Sequence, residues 1–99
     1  MEVELLYWDG CPSHPEALAL LRDVLGEDVP VRLLEVVSEE QAAAEDFPGS
    51  PTIRVDGQDL FPIADPPGLS CRVYQLADGR YSPTPDPQEL RERLRSLRE

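Results

Sequence analysis

Two apolar stretches, "EVELLY" (residues 2–7) and "PVRLLEVV" (30–37), flank a segment whose apolar residues recur with helical spacing. This strand–helix–strand succession constrains the fold most. Two strands joined through a helix pair side by side and parallel. Ala17, Leu18, Leu21, Val24 and Leu25 line one face of a helix over 14–25, and Gly26 is a good terminator. The first strand is expected to be central.

The pattern then repeats. Ser38 and Gln41 have the spacing of a capping box, and Glu39 and Glu40 suit the positive end of a helix dipole. This short helix is expected to stop before Pro48-Gly49, with "PTIRV" (51–55) as a third strand closed by the turn pair Asp56-Gly57. A second crossover of this kind predicts parallel pairing again. Residues 58–69, "QDLFPIADPPGL", read as a loop. "SCRVYQLA" (70–77) reads as a fourth strand, antiparallel to the third because no helix separates them, and it ends at Asp78-Gly79. "YSPTP" is read as irregular. Asp86 as N-cap, Pro87 and Glu89 open a last helix with an apolar stripe of Leu90, Leu94 and Leu97. The expected order is β-α-β-α-β-β-α around a central four-stranded mixed sheet, an α/β class of fold. No repeat or linker divides the 99 residues, which suit one domain.

The net charge of −11 argues against nucleic acid, whose phosphates need cations. It is carried by residues 1–82, with 16 acids against 5 arginines; residues 83–99 hold 4 of each. A soluble, self-repelling surface is the plain reading, and a basic partner protein the sharper one. No apolar run is long enough for a membrane span, and no basic-then-apolar leader opens the chain, so a cytoplasmic protein is expected. All 9 basic residues are Arg and Asn is absent. With eleven prolines, mostly in loops, that composition suits a thermophile. GC-rich codon usage would give the same Arg bias.

The two cysteines, Cys11 and Cys71, are too few for a disulfide-stapled scaffold, and one His leaves too few ligands for a closed structural zinc site. No cofactor or metal is expected. Cys11 falls in "DGCPSHPE", between the first strand and the first helix. A helix start favours an anion, so a thiolate there is stabilised and nucleophilic. Pro12 suits the first helical turn. His14, three residues on, is placed to stabilise the thiolate or move a proton. Asp9 acts in the opposite sense and raises a nearby thiol pKa. The long loop 58–69 can carry Cys71 towards Cys11; the sequence leaves open whether it does.

The element order, with this cysteine after the first strand, resembles the thioredoxin fold. "GSPT" (49–52) resembles the cis-proline segment that enters the third strand in thioredoxin-like proteins. A narrower likeness is to small bacterial thioredoxin-like proteins, some described as alkylmercury-lyase-like, through Gly49-Ser50-Pro51-Thr52, Val55-Asp56-Gly57 and Gly68-Leu69-Ser70-Cys71-Arg72-Val73-Tyr74. The resemblance implies a cis Pro51 facing Cys11, and a partner positioned by the backbone of Ser50, Pro51 and Thr52. Trp8 resembles the aromatic residue that precedes the active cysteine. The departure is His14, which stands where Cys-x-x-Cys enzymes carry their second cysteine.

Three functions follow as expectations. The first is a thiol-disulfide oxidoreductase with Cys11 as nucleophile, His14 in support, Cys71 as candidate resolving thiol, and a protein or small-molecule thiol or disulfide as partner. The second is a soft-metal or organomercurial binder through Cys11, Cys71 and His14. The third is a non-catalytic interaction module. No membrane or nucleic-acid partner is expected, and the sequence leaves the oligomeric state open.

Overall fold

The computed structural model describes residues 1–98. Its elements are β1 (Val3–Tyr7), α1 (His14–Leu25), β2 (Val31–Glu35), α2 (Glu39–Glu45), β3 (Thr52–Val55), β4 (Gln58–Asp59), β5 (Tyr74–Gln75), β6 (Tyr81–Ser82) and α3 (Pro87–Arg98). The main sheet is four-stranded and mixed, in the order β2-β1-β3-β4, with β1 inside as expected. β5 and β6 form a separate two-stranded ribbon.

Alternation in β1 separates two cores. Val3 and Leu5, with Ile53 and Val55 of β3, pack against Ala17, Leu21 and Leu25 of α1 and Leu90 and Leu94 of α3. Leu6 points the other way and meets Val36, Ala42 and Phe47. Helix α2 is short, so it covers only part of this second face. The remainder is polar. Glu4 lies opposite Arg32 in the parallel register and Arg54 in the antiparallel one. It reaches both arginines, at 3.8 and 3.7 Å, and Arg54 also pairs with Glu45 at 2.9 Å. Glu4 of "EVELLY" is thus the centre of a cross-strand ladder on the second face.

Three expectations are corrected. The first crossover is parallel, but β3 runs antiparallel to β1. The 7 residues of α2 rise only ~10 Å. That is too short to return the chain to the far end of the sheet, so β3 starts near the end where β2 finishes. Next, the fourth strand of the sheet is β4, inside the segment read as loop. Asp56 and Gly57 take φ of 52° and 84°, the two-residue hairpin geometry that turns the chain straight back. Last, "SCRVYQLA" is not an antiparallel neighbour of β3. Cys71 makes a lone parallel bridge to Ser50, and Tyr74–Gln75 pairs with Tyr81–Ser82 from the segment read as irregular.

Helix α1 begins at His14, so Pro15 occupies its first turn and Pro12 lies in the turn before it. In α3, Leu90 and Leu94 are buried but Leu97, read as part of the same stripe, is 55% exposed. No described helix is long and apolar enough to cross a membrane.

Candidate functional site

Cys11 sits in a tight turn between β1 and α1, its N–H donating to the Trp8 carbonyl at 3.0 Å. Gly10 is required there, since a Cβ would fall inside the Trp8 indole. Trp8 itself is half-buried and packs on the Leu6–Phe47 core. Cys11 is only 3% exposed. Ser13, the N-cap of α1, makes no side-chain cap bond; its buried hydroxyl lies 3.7 Å from Cys11 Sγ instead. The Ser50 carbonyl oxygen is 3.6 Å from the same sulfur.

The Ser50–Pro51 peptide bond is cis, as the resemblance implies. Ser50, Pro51 and Thr52 are all buried. What covers them is the chain's own segment 70–74. The Ser50 N–H donates to the Ser70 carbonyl at 2.7 Å, and the Arg72 N–H donates to the Ser50 carbonyl at 2.9 Å. Both backbone groups that the resemblance assigns to a partner are therefore engaged within the chain. Gly49, at φ 136°, lets this segment close in; a Cβ there would meet Arg72 Cβ at 3.1 Å and Ser70 Oγ at 3.2 Å.

The bridge carries Cys71 to Cys11, and the two are joined by a disulfide with a Cα–Cα distance of 5.7 Å. The long loop does bring the cysteines together. Cys71 lies on the outside and is exposed, as is Val73 after it, while Arg72 and Tyr74 alternate inward. The buried Arg72 guanidinium donates to Asp59 Oδ2 at 2.9 Å, to the Phe61 carbonyl at 2.7 Å and to Thr52 Oγ1 at 3.3 Å. It also stacks over the Tyr74 ring, 4.5 Å from its centroid. The Tyr74 hydroxyl donates to the Pro51 carbonyl, and burial pushes its phenol well above the ordinary tyrosine pKa.

His14 is not drawn into this cluster. Its ring stacks on Tyr7 at a centroid distance of 4.0 Å, and its Nδ1 is buried with no hydrogen-bond partner. Polar contact to the Cys11 sulfur comes from Ser13 and Ser50. Among the described residues, no three or more His, Cys, Asp or Glu side chains gather into a metal site. Sequence reasoning missed Ser13, Arg72 and Tyr74. A usable signal existed for the last two. Period-two alternation in "SCRVY" puts them on the face opposite Cys71.

Chemically, a disulfide between a buried cysteine and an exposed one can undergo thiol exchange. Ser50 lies against both halves, through its carbonyl at Cys11 Sγ and through its backbone bonds to the residues on either side of Cys71. Comparison with protein-family models, with curated proteins and with solved structures finds no match to this chain, so neither a family nor an activity is assigned by likeness.

Proposed function

We propose that this is a thioredoxin-like thiol–disulfide exchange protein whose redox pair is Cys11 and Cys71. The observation that carries the reading is the union of two cysteines 60 residues apart beside the cis Ser50–Pro51 bond. A second thiol within "CPSH" is missing, and Cys71 supplies it from a different part of the chain. The turn before α1 adds a hydroxyl aimed at sulfur rather than at the helix end, which suits a thiolate intermediate. The partner is a thiol or disulfide, on a protein or a small molecule.

The competing role for the same bond is a structural staple, known in intracellular proteins of hyperthermophiles. Glutathione redox buffers separate the two. An exchange pair reaches equilibrium with glutathione, and the reduced protein speeds insulin disulfide reduction by dithiothreitol. Cys11→Ser and Cys71→Ser each lose that turnover. A bond that stays oxidised below about −300 mV, with no insulin reduction, is a staple and overturns the reading.

A soft-metal role is the second reading, favoured by the convergence of the two sulfurs once reduced. His14, stacked on Tyr7, does not complete a three-ligand set. Equimolar mercuric ion bound by the reduced protein and lost in either Cys→Ser variant would support it.

A further inference from the structure

We propose that Cys71 is the sulfur that meets the partner, and that Cys11 is the covered sulfur that leaves and later resolves. This rests on the exchange reading above and reverses the order expected from the sequence. A thiolate attacks a disulfide in line with the S–S bond, from the side away from the leaving sulfur, so access decides which sulfur is taken. Cys11 is 3% exposed, with the Ser13 hydroxyl and Ser50 carbonyl against its sulfur. Cys71 is exposed on the outer face of its segment, next to Val73 at 59% exposure. Residue burial therefore favours approach at Cys71 over approach at Cys11.

The surroundings suit that order. When an external thiolate bonds to Cys71 Sγ, the Cys11–Cys71 bond breaks and its electron pair goes to Cys11 Sγ. The Ser13 hydroxyl is in place to donate to the new thiolate, and a stabilised thiolate leaves faster. Cys71 does not drift away after release. Ser50 brackets it through Ser70 and Arg72, the Arg72 guanidinium pins the segment to Thr52 of β3 and Asp59 of β4, and the Tyr74 hydroxyl pins it to the Pro51 carbonyl. In the reducing direction the same steps run backwards. The Cys71 thiolate attacks a partner disulfide and expels one partner thiolate. Cys11 then attacks Cys71 Sγ, which reforms the internal bond and releases the second partner thiolate. Two electrons pass to the partner.

The partner class follows from the same contacts. The Ser50 backbone is fully engaged by the protein's own segment, so an extended partner strand cannot pair there. The exchange is with a thiol that needs only to reach an exposed sulfur, a small-molecule thiol or a cysteine on a flexible segment.

The test uses the oxidised wild-type protein and glutathione as the thiol. Samples are acid-quenched at early times, alkylated with N-ethylmaleimide in denaturant, and mapped by peptide mass spectrometry. Glutathione is expected on Cys71 and N-ethylmaleimide on Cys11, with the Cys71 adduct in about tenfold or greater excess, as access control implies. As a second measurement, reduced Cys11→Ser should form a stable adduct with oxidised glutathione much faster than Cys71→Ser. Glutathione predominantly on Cys11, or equal on both, overturns the assignment and leaves the exchange function standing. No adduct on either cysteine, while a phosphine still reduces the bond, overturns the exchange reading and the assignment with it.

Discussion

A buried carbonyl outside any regular element needs a donor, and the Pro51 carbonyl has the Tyr74 hydroxyl. Tyr74→Phe removes the donor and leaves the acceptor buried, which should cost ~1–3 kcal/mol. The phenol's pKa is raised by burial, so its contribution is complete below the unfolded tyrosine value of about 10 and fades as pH rises above it. Thermal melts from about pH 8 to about pH 11 should show wild type losing its advantage over Tyr74→Phe at the alkaline end. A constant gap would refute the assignment. At this scale the sequence was legible for Cys11 and Pro51, whose neighbours mark a turn and a strand entry. For Arg72 the alternation away from Cys71 was legible, but its burial was not. An arginine in an alternating strand reads as the solvent face, because arginine is rarely buried unless paired. The acceptors at Asp59, Phe61 and Thr52 come together only in three dimensions.

Among the elements, α3 carries the clearest start signal, and the structure uses it twice. Asp86 Oδ1 accepts from the Gln88 and Glu89 N–H groups, and Oδ2 accepts from the Ala77 N–H. The bond from Ala77, followed by those from Glu89 and Gln88, holds its carboxyl below the usual range. Its stabilisation is present above the unfolded carboxylate pKa of about 3.9 and is lost as pH falls through the lower folded value. Asp86→Ala should lower the neutral-pH melting temperature by a few degrees and fall less steeply than wild type on acidification. Parallel acid limbs would disprove it. Helices α1, α2 and α3 were legible from spacing and caps. The strands after β3 were harder. Asp56-Gly57 is a hairpin signal, but only two residues follow it in register, too few to show a period. The 70–77 stretch shows the right alternation, yet its pairing partners are Ser50 and a turn-linked neighbour rather than the sheet edge.

For the molecule as a whole, the Cys11–Cys71 bond closes a loop with a sequence separation of 60 around α1, β2, α2, β3 and β4. Closing a loop of this size lowers the entropy of the unfolded chain by an amount worth about 4 kcal/mol, a large share of a small domain's stability. Denaturant unfolding with and without a phosphine should show a loss of that order in the reduced form, with native secondary structure retained in buffer. A negligible difference would mean that the unfolded chain is already compact at this loop. The possibility of this bond could be read from the long loop. Its existence could not, because contact between residues so distant is a property of the packed sheet and not of either local segment.

The same closed loop has a mechanical side. Once the chain is unfolded, a force pulling on its two ends would pass across the sulfur–sulfur bond, and the stretch between Cys11 and Cys71 would carry no load. Reduction would add that hidden length to the path, roughly 200 Å at ~3.5 Å per residue. The protein's reach under tension is therefore set by its redox state.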